Sequence, residues 1–159
     1  MKRVISILLA LVMTLSLCSA AWAIETAVGA TGPTEGTCGA ESNEGGRGSV
    51  TWKVTPNGGK VASEDKNGNT VLLPAYTLTI SGKGDMMDEP GGSKAGCWAA
   101  LDENGKMYGD QITQVIIEEG VTGIGDVAFN RNLNRSTISI PASVTKIGKR
   151  AFGAEMIVT

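Results

Sequence analysis

Two stretches of this sequence follow one pattern of apolar residues. The first is VIIEEGVTGIGDVAF at positions 115–129, and the second is ISIPASVTKIGKRAF at positions 138–152. Four apolar positions, one glycine and a closing Ala-Phe pair recur in register, each pair 23 residues apart. A fixed period of this length is typical of a solenoid, in which every repeat forms one coil.

The spacing within the first copy predicts the shape of its coil. Ile112, Val115 and Ile117 fit the pattern L-x-x-L-x-L, the strand segment of a leucine-rich repeat. These three side chains are expected to point inward, and Gly125 and Gly148 to mark a tight bend that needs a minimal side chain. Because both surfaces of such a coil are apolar, a coil is stable only when its neighbours cover it.

The region before the repeats alternates apolar and polar residues with period two, which predicts strands of an antiparallel meander. One strand contains Val50, Trp52 and Val54, and another contains Tyr76, Leu78 and Ile80. Hairpin turns are predicted at 57–59 (Asn-Gly-Gly) and 67–68 (Asn-Gly), and a strand start or an edge at Pro74. Residues 82–109 form a long glycine-rich connection. The predicted fold is mainly β: a short leucine-rich-repeat solenoid preceded by a small antiparallel β meander.

The N-terminus has the order of a secretory signal: a basic start, an uncharged apolar run, and small residues at Ala21 and Ala23. We expect cleavage after Ala23, with an uncleaved membrane anchor as the alternative. The predicted organisation is a signal peptide (1–23), a linker (24–37), a β module (38–111) and repeats (112–159), of which two are complete and a third is begun. The protein is expected to be secreted or displayed at the cell surface.

Two cysteines remain once the signal, with Cys18, is removed. Cys38 and Cys97 could form one disulfide in an oxidising compartment. The alternative, a catalytic thiol at Cys97, lacks a base, because the sequence contains no histidine.

Composition argues against most kinds of chemistry. Without Lys2 and Arg3 the chain has 12 basic and 16 acidic side chains, a net charge of −4, which does not favour nucleic acid or an anionic membrane. Asp65, Asn67 and Asn69 begin like a calcium loop but lack its Gly and its final Glu, and a hairpin turn explains them better. The sequence therefore predicts no enzyme and no catalytic, cofactor-binding or metal-binding residue.

The predicted binding surface is the side of the repeat strands that points away from the core, because solenoids bind partners there. It comprises Thr113, Gln114, Ile116, Ser136, Thr137 and Ser139. The alternative is a carbohydrate-binding or cell-wall-associated module that uses the aromatic residues Trp98 and Tyr108 of the long loop.

At the second repeat the sequence resembles the BspA-type leucine-rich repeat proteins, whose coils read roughly V-x-I-P-x-S-V-T-x-I-G-x-x-A-F. The upstream residues Cys38-Gly39, Trp52, Leu78 to Gly84 and Trp98 resemble the module that often precedes such arrays. The resemblance covers about 38–152. It implies a bacterial, secreted or surface-displayed adhesion protein that binds an extracellular protein or glycan.

The end of the array lacks a polar cap. Apolar residues follow the second coil with no further repeat to bury them: Ala151, Phe152, Met156, Ile157 and Val158. Exposed apolar ends favour association. We therefore expect either a piece of a longer protein or a chain that associates with itself.

Overall fold

Strands form most of the regular structure in the computed structural model, which describes residues 34–89, 98, 106–130, 133, 136–154 and 156–159. A 3-10 turn (Gly46–Ser49) and a short helix α1 (Tyr108–Gln111) are the helical elements of this part of the chain. The strands are β1 (Glu35–Thr37), β2 (Val50–Glu64), β3 (Thr70–Gly82), β4 (Gly84–Asp85), β5 (Ile112–Ile117), β6 (Val121–Ile124), β7 (Thr137–Ser139), β8 (Lys146–Ile147) and β9 (Ile157–Val158). The mainly β prediction is confirmed.

The first three strands form the antiparallel meander. β1 pairs with β2, and β2 pairs with β3 along nearly its whole length. The alternating apolar residues of β2 and β3 point to the core, where Val50, Trp52, Leu78 and Ile80 are buried. Because β1 begins at Glu35, the predicted linker (24–37) extended too far, and its last three residues are part of the sheet.

Only one of the two predicted turns reverses the chain. At the second, the carboxylate of Asp65 accepts hydrogen bonds from the backbone N–H groups of Asn67 (2.8 Å) and Asn69 (2.9 Å) and closes the β2–β3 hairpin. The turn predicted at 57–59 is wrong: β2 runs through it with a shift of register between Pro56 and Lys60. The side chain of Asn57 accepts the N–H of Gly59 (2.9 Å), so these residues form a local irregularity within the strand.

Pro74 lies within β3, where β3 has a partner on one side. It pairs with Lys60 of β2, whereas the pairing with β5 begins only at Tyr76. The edge predicted at this proline is therefore present, since a residue without an N–H is tolerated where no second strand needs a donor.

The two complete repeats form coils stacked in the predicted register, whereas β9 pairs with β7 at an offset of 20 residues. β5, β7 and β9 pair in parallel on one side, and β4, β6 and β8 pair in parallel on the other. Val115 lies beside Ile138, and Ile124 beside Ile147, so equivalent residues 23 apart are neighbours across the coils. The solenoid predicted from the 23-residue period is confirmed.

Strand β3 belongs to both parts of the fold. It is antiparallel to β2 and parallel to β5, with Leu78 opposite Val115 and Ile80 opposite Ile117. β4 continues the chain and pairs with β6 in the second sheet. The segment β3–β4 therefore covers the first coil in the place where a preceding coil would lie.

Side chains add hydrogen bonds between the coils. The hydroxyl of Ser143 donates to the carbonyl oxygen of Val121 (2.9 Å), and its oxygen accepts the N–H of Gly120 (3.1 Å). The carboxylate of Asp88 accepts the N–H of Asp126 (2.7 Å), and the carboxylate of Asp126 accepts the N–H of Lys149 (2.6 Å). These carboxylate contacts link the segment after β4, which contains Asp88, to both coils.

The core contains a column of stacked aromatic rings. Trp98 lies 5.6 Å from Phe129 with nearly parallel planes, and Phe129 lies 6.1 Å from Phe152 in the same way. Trp98 and Phe129 are completely buried. Trp98 therefore occupies, ahead of the first coil, the place that phenylalanine has in both repeats.

The two glycines of the repeats are required by close packing. Neither Gly125 nor Gly148 has a positive φ, so a special bend is not the reason for them. A Cβ at Gly125 would collide with the carbonyl oxygen of Met87, and one at Gly148 would collide with the N–H of Asp126. A minimal side chain is needed, as predicted, because the preceding turn lies against each glycine.

The far end of the solenoid exposes apolar side chains. Ile147 is 57% exposed, Ile157 59% and Val158 53%, while Phe152 and Met156 are partly buried against the core. In the described part of the chain no helix is long and apolar enough to cross a membrane.

Candidate functional site

The six-stranded sheet, in the order β1-β2-β3-β5-β7-β9, has one face on the core and one face outside it. Because side chains alternate along a strand, residues between the buried positions point away from the core. We call this second surface the outer face. Its central row crosses five strands through Glu35, Lys53, Thr79, Ile116 and Ser139, each paired with the next.

A second row runs beside the first. It passes through Thr55, Thr77, Gln114 and Thr137. The hydroxyl of Thr77 donates to the side-chain oxygen of Gln114 (3.2 Å), which joins the meander to the first coil. The second row consists of hydroxyl and amide side chains, which can donate and accept hydrogen bonds, although Thr77 is buried. The central row combines two charged residues, two hydroxyl residues and the apolar Ile116.

Four of the predicted surface residues lie on this face. Gln114, Thr137 and Ser139 are exposed, and Ile116 is half-buried between Thr79 and Ser139. Thr113 is half-buried at the strand's start, where its hydroxyl accepts a hydrogen bond from the amide of Asn57 (3.0 Å).

Ser136 was wrongly predicted to be exposed. It precedes β7, is completely buried, and donates its hydroxyl to the carbonyl oxygen of Ile112 (2.6 Å). The backbone oxygen of Ser136 also accepts the N–H of Ile157 from β9. The residue is enclosed because neighbouring coils lie on both sides of it.

Sequence reasoning missed the part of the outer face that the meander contributes. Thr51 and Lys53 of β2 are exposed, and Thr79 and Ser81 of β3 are half-buried on the same side. The period-two alternation that placed Trp52 and Leu78 in the core already placed these residues opposite to it. What the sequence did not reveal was that β3 pairs with β5, which makes the two surfaces continuous.

A groove lies on the outer face at β1, β2 and β3. Its cavity has a volume of about 500 Å³, and its side chains include Glu35, Thr37, Thr51, Lys53 and Ser81. The ammonium of Lys53 lies 3.4 Å from the carboxylate of Glu35, so the two charges of the groove neutralise each other.

The second sheet has a polar groove of its own. Its cavity of about 300 Å³ is lined by residues of β4, β6 and β8 and of the turns that follow them. Within it, Asp85 accepts hydrogen bonds from the hydroxyl of Thr122 (2.6 Å) and the ammonium of Lys146 (2.9 Å). These contacts, that of Thr122 first, lower the pKa of Asp85 below its ordinary value.

The aromatic side chains of the alternative prediction lie in the core. Trp98 is completely buried and Tyr108 is 4% exposed, and Tyr108 packs edge-on against Tyr76 with 5.0 Å between ring centroids. A sugar cannot stack on rings that are covered by protein. A carbohydrate site built on these two residues is therefore excluded.

The remaining predictions concern the disulfide, the signal cleavage and the absence of a metal site. Cys38 is buried beside β2, whereas Cys97 and the cleavage position Ala23 lie outside the described residues, so the disulfide and the cleavage stay predictions. At the β2–β3 hairpin, hydrogen bonds from Asn69 and Asn67 lower the pKa of Asp65. The residues that begin like a calcium loop therefore form a hairpin turn, which is the interpretation that the sequence favoured. Among the described residues, no group of three or more acidic or cysteine side chains is placed to hold a metal ion.

The fold is that of a leucine-rich-repeat type of solenoid, mainly β, with coils of 23 residues. The sequence matches no protein-family profile and no curated protein. Among solved structures it is similar to a leucine-rich repeat protein from Eubacterium ventriosum, with 20% identity, 80% of this chain and 27% of that chain covered, and a TM-score of 0.41. The chain thus spans about a quarter of that protein's length.

Proposed function

We propose that this chain is an exported, non-enzymatic binding protein of the BspA type, acting in adhesion or recognition at or beyond the cell surface. Its recognition surface is the outer face of the six-stranded sheet. The observation that supports the proposal is the continuity of this face: both rows run from the meander across the first two coils through paired strands.

The chemistry of the chain supports binding without catalysis. The sequence contains no histidine, and the acids of the second groove are engaged in structural contacts: Asp85 with Thr122 and Lys146, and Asp126 with Lys149. Such carboxylates hold coils together. The hydroxyls and amide of the outer face are suited to hydrogen bonding with a partner.

The binding proposal is tested by probing an array of purified extracellular-matrix proteins and glycans with residues 24–159. We expect retention on at least one array member and a loss of at least tenfold on Ser139→Glu. The substitution adds a larger, charged side chain beside Ile116, whereas the carboxylate of Glu35 in the same row is paired with Lys53. Thr70→Glu, on an exposed position of the hairpin outside both rows, is the matched control. If Ser139→Glu left the retention unchanged, the outer face would not be the recognition surface.

The proposed export is tested by N-terminal sequencing of the chain from a secreting host. The expected mature N-terminus is Ile24, because Ala21 and Ala23 have the small side chains that a signal peptidase accepts. An intact Met1 in the membrane fraction would indicate an anchor instead.

A further inference from the structure

The meander contributes as much to the outer face as the repeats do. In the central row, three of the five residues belong to β1, β2 and β3, and the groove of about 500 Å³ lies entirely in this part. We infer that the ligand of the outer face is a neutral glycan, held jointly by the groove of the meander and the polar rows of the repeats. This inference rests on the proposed function and specifies its ligand.

Charge is the first argument. Glu35 and Lys53 are the charged residues of the two described rows, and their side chains lie 3.4 Å apart as an ion pair. The other members are Thr, Ser, Gln and Ile, which are uncharged. A surface with compensated charges does not attract a charged polymer, so an acidic glycan or a strongly charged protein is disfavoured.

Size is the second argument. Five strands spaced about 4.8 Å apart give the region of the groove and the two rows a width of roughly 24 Å, and the five residues from Thr51 to Thr55 give this region a length of roughly 16 Å along β2. The resulting area of about 400 Å² is half of the roughly 800 Å² that each partner buries in a stable protein complex. A glycan of a few sugar units fits such an area, and the groove's volume falls in the range of small-ligand sites.

The type of side chain is the third argument. Stable protein interfaces have an apolar centre with large anchoring residues, whereas Ile116 is the apolar residue of the central row and is half-buried. The hydroxyls of Thr51 and Ser81 in the groove match the hydroxyl groups of a sugar in hydrogen-bonding character. The expected complex is weak for a single chain, because it is made of polar contacts without stacked rings.

The inference is tested with cellulose, starch, xylan, mannan and β-1,3-glucan as neutral probes, and with heparin and polygalacturonate as acidic probes. We expect residues 24–159 to be retained by at least one neutral polysaccharide and equally well at low and high salt, because no net charge is involved. Neither acidic probe should retain it.

Two matched substitutions on the meander locate the site. Thr51→Glu lies in the groove and Thr70→Glu lies on the hairpin outside the rows, and both positions are exposed. We expect Thr51→Glu to reduce retention at least tenfold and Thr70→Glu to leave it unchanged. Near-ultraviolet circular dichroism of each variant establishes that the tertiary packing is retained.

The outcomes separate this inference from the proposed function. One outcome is that a protein of the array retains the chain, that Ser139→Glu reduces this retention, and that no neutral polysaccharide retains the chain. This outcome supports the binding function and overturns the inference that the ligand is a neutral glycan. Glycan retention that is lost in Ser139→Glu but kept in Thr51→Glu overturns the role of the meander. No retention by any probe overturns both.

Discussion

Asp85 shows how one side chain joins β4 to both coils. It belongs to β4, the hydroxyl of Thr122 comes from the first coil, and the ammonium of Lys146 comes from the second. Gly123 is part of the same arrangement, because a Cβ there would lie 2.7 Å from a carboxylate oxygen of Asp85. The carboxylate is therefore fixed in position by three successive turns of the fold.

Asp85 should make stability depend on pH in the acid range. Since its pKa is lowered in the folded state, its contribution is complete above the unfolded value of about 3.9 and is lost as pH falls through the folded value. We expect Asp85→Asn to lower the free energy of unfolding by about 1 kcal/mol at pH 7, since Lys146 is largely exposed. Urea unfolding at pH 7 and pH 2 measures this. An equal loss at both pH values would contradict the role of the charge.

Ser136 is the residue for which the sequence was most misleading. Thr137 and Ser139 point outward and Ile138 points inward, so the same alternation places Ser136 inward. The prediction had instead followed the 23-residue offset from Thr113, which is half-buried. Leu133, in the connection after Phe129, is also buried in the core, although it lies two positions before the residue that the 23-residue offset from Ile112 selects. A repeat pattern predicts the positions inside an element better than those at its boundary.

The buried hydroxyl of Ser136 should stabilise the coil. Ser136→Ala removes the donor to the carbonyl oxygen of Ile112 and leaves that oxygen buried, so the free energy of unfolding should fall by about 1 kcal/mol. Thr137→Ala, whose exposed hydroxyl is 3.5 Å from its acceptor, is the control and should cost less than half as much. Denaturant unfolding compares the two, and similar losses would refute the distinction.

At the scale of elements, the sequence predicts the strands of the repeats and their stacking, but it does not predict how the connections between elements pack. The 23-residue offset predicts the parallel strands and the stacking of Phe129 on Phe152 directly. The stacking of Trp98 on Phe129 was hidden because these residues are 31 positions apart. The irregularity in β2 was hidden because an Asn-Gly pair fits both a turn and a bulge locally, and only the pairing with β3 decides between them.

Removing a ring from the middle of the column of stacked aromatic rings should lower the stability more than removing a ring from its end. Phe129 is enclosed between Trp98 and Phe152, whereas Phe152 has a ring on one side. We expect Phe129→Ala to lower the free energy of unfolding by about 3–5 kcal/mol and Phe152→Ala by less than half of that. Urea unfolding gives both values, and Phe129→Leu replaces the alanine variant if that does not fold. A larger loss at Phe152 would show that the column is not organised in this way.

For the molecule as a whole, the two ends of the solenoid are unlike. The first coil is covered by β3, β4 and Trp98. The second coil presents Ile147 to solvent, and β9, which pairs with this coil, presents Ile157 and Val158. We predict that residues 24–159 associate through these exposed ends and form a closed dimer, because the covered end of the first coil offers no free coil surface for head-to-tail addition.

Residues 24–159 should accordingly self-associate as concentration rises. Ile157→Lys should suppress the dimer, because a charge would be buried between the ends. Leu72→Lys is the control, since Leu72 is 68% exposed on the hairpin, away from the end. Size exclusion with light scattering measures the mass at several concentrations. A monomer at every concentration, or open-ended polymers, would contradict the expected dimer.

The position of β3 between an antiparallel and a parallel neighbour also bears on the order of folding. The β2–β3 hairpin is closed by a short turn at Asp65–Asn69, so little loop entropy opposes its formation, whereas β5 reaches β3 only across a much longer connection. The hairpin can therefore form first and act as the template on which the coils assemble in sequence. Pulsed amide exchange during refolding should find Trp52 and Leu78 protected before Val115, and Val115 before Ile138; simultaneous protection would show that the chain condenses as one unit.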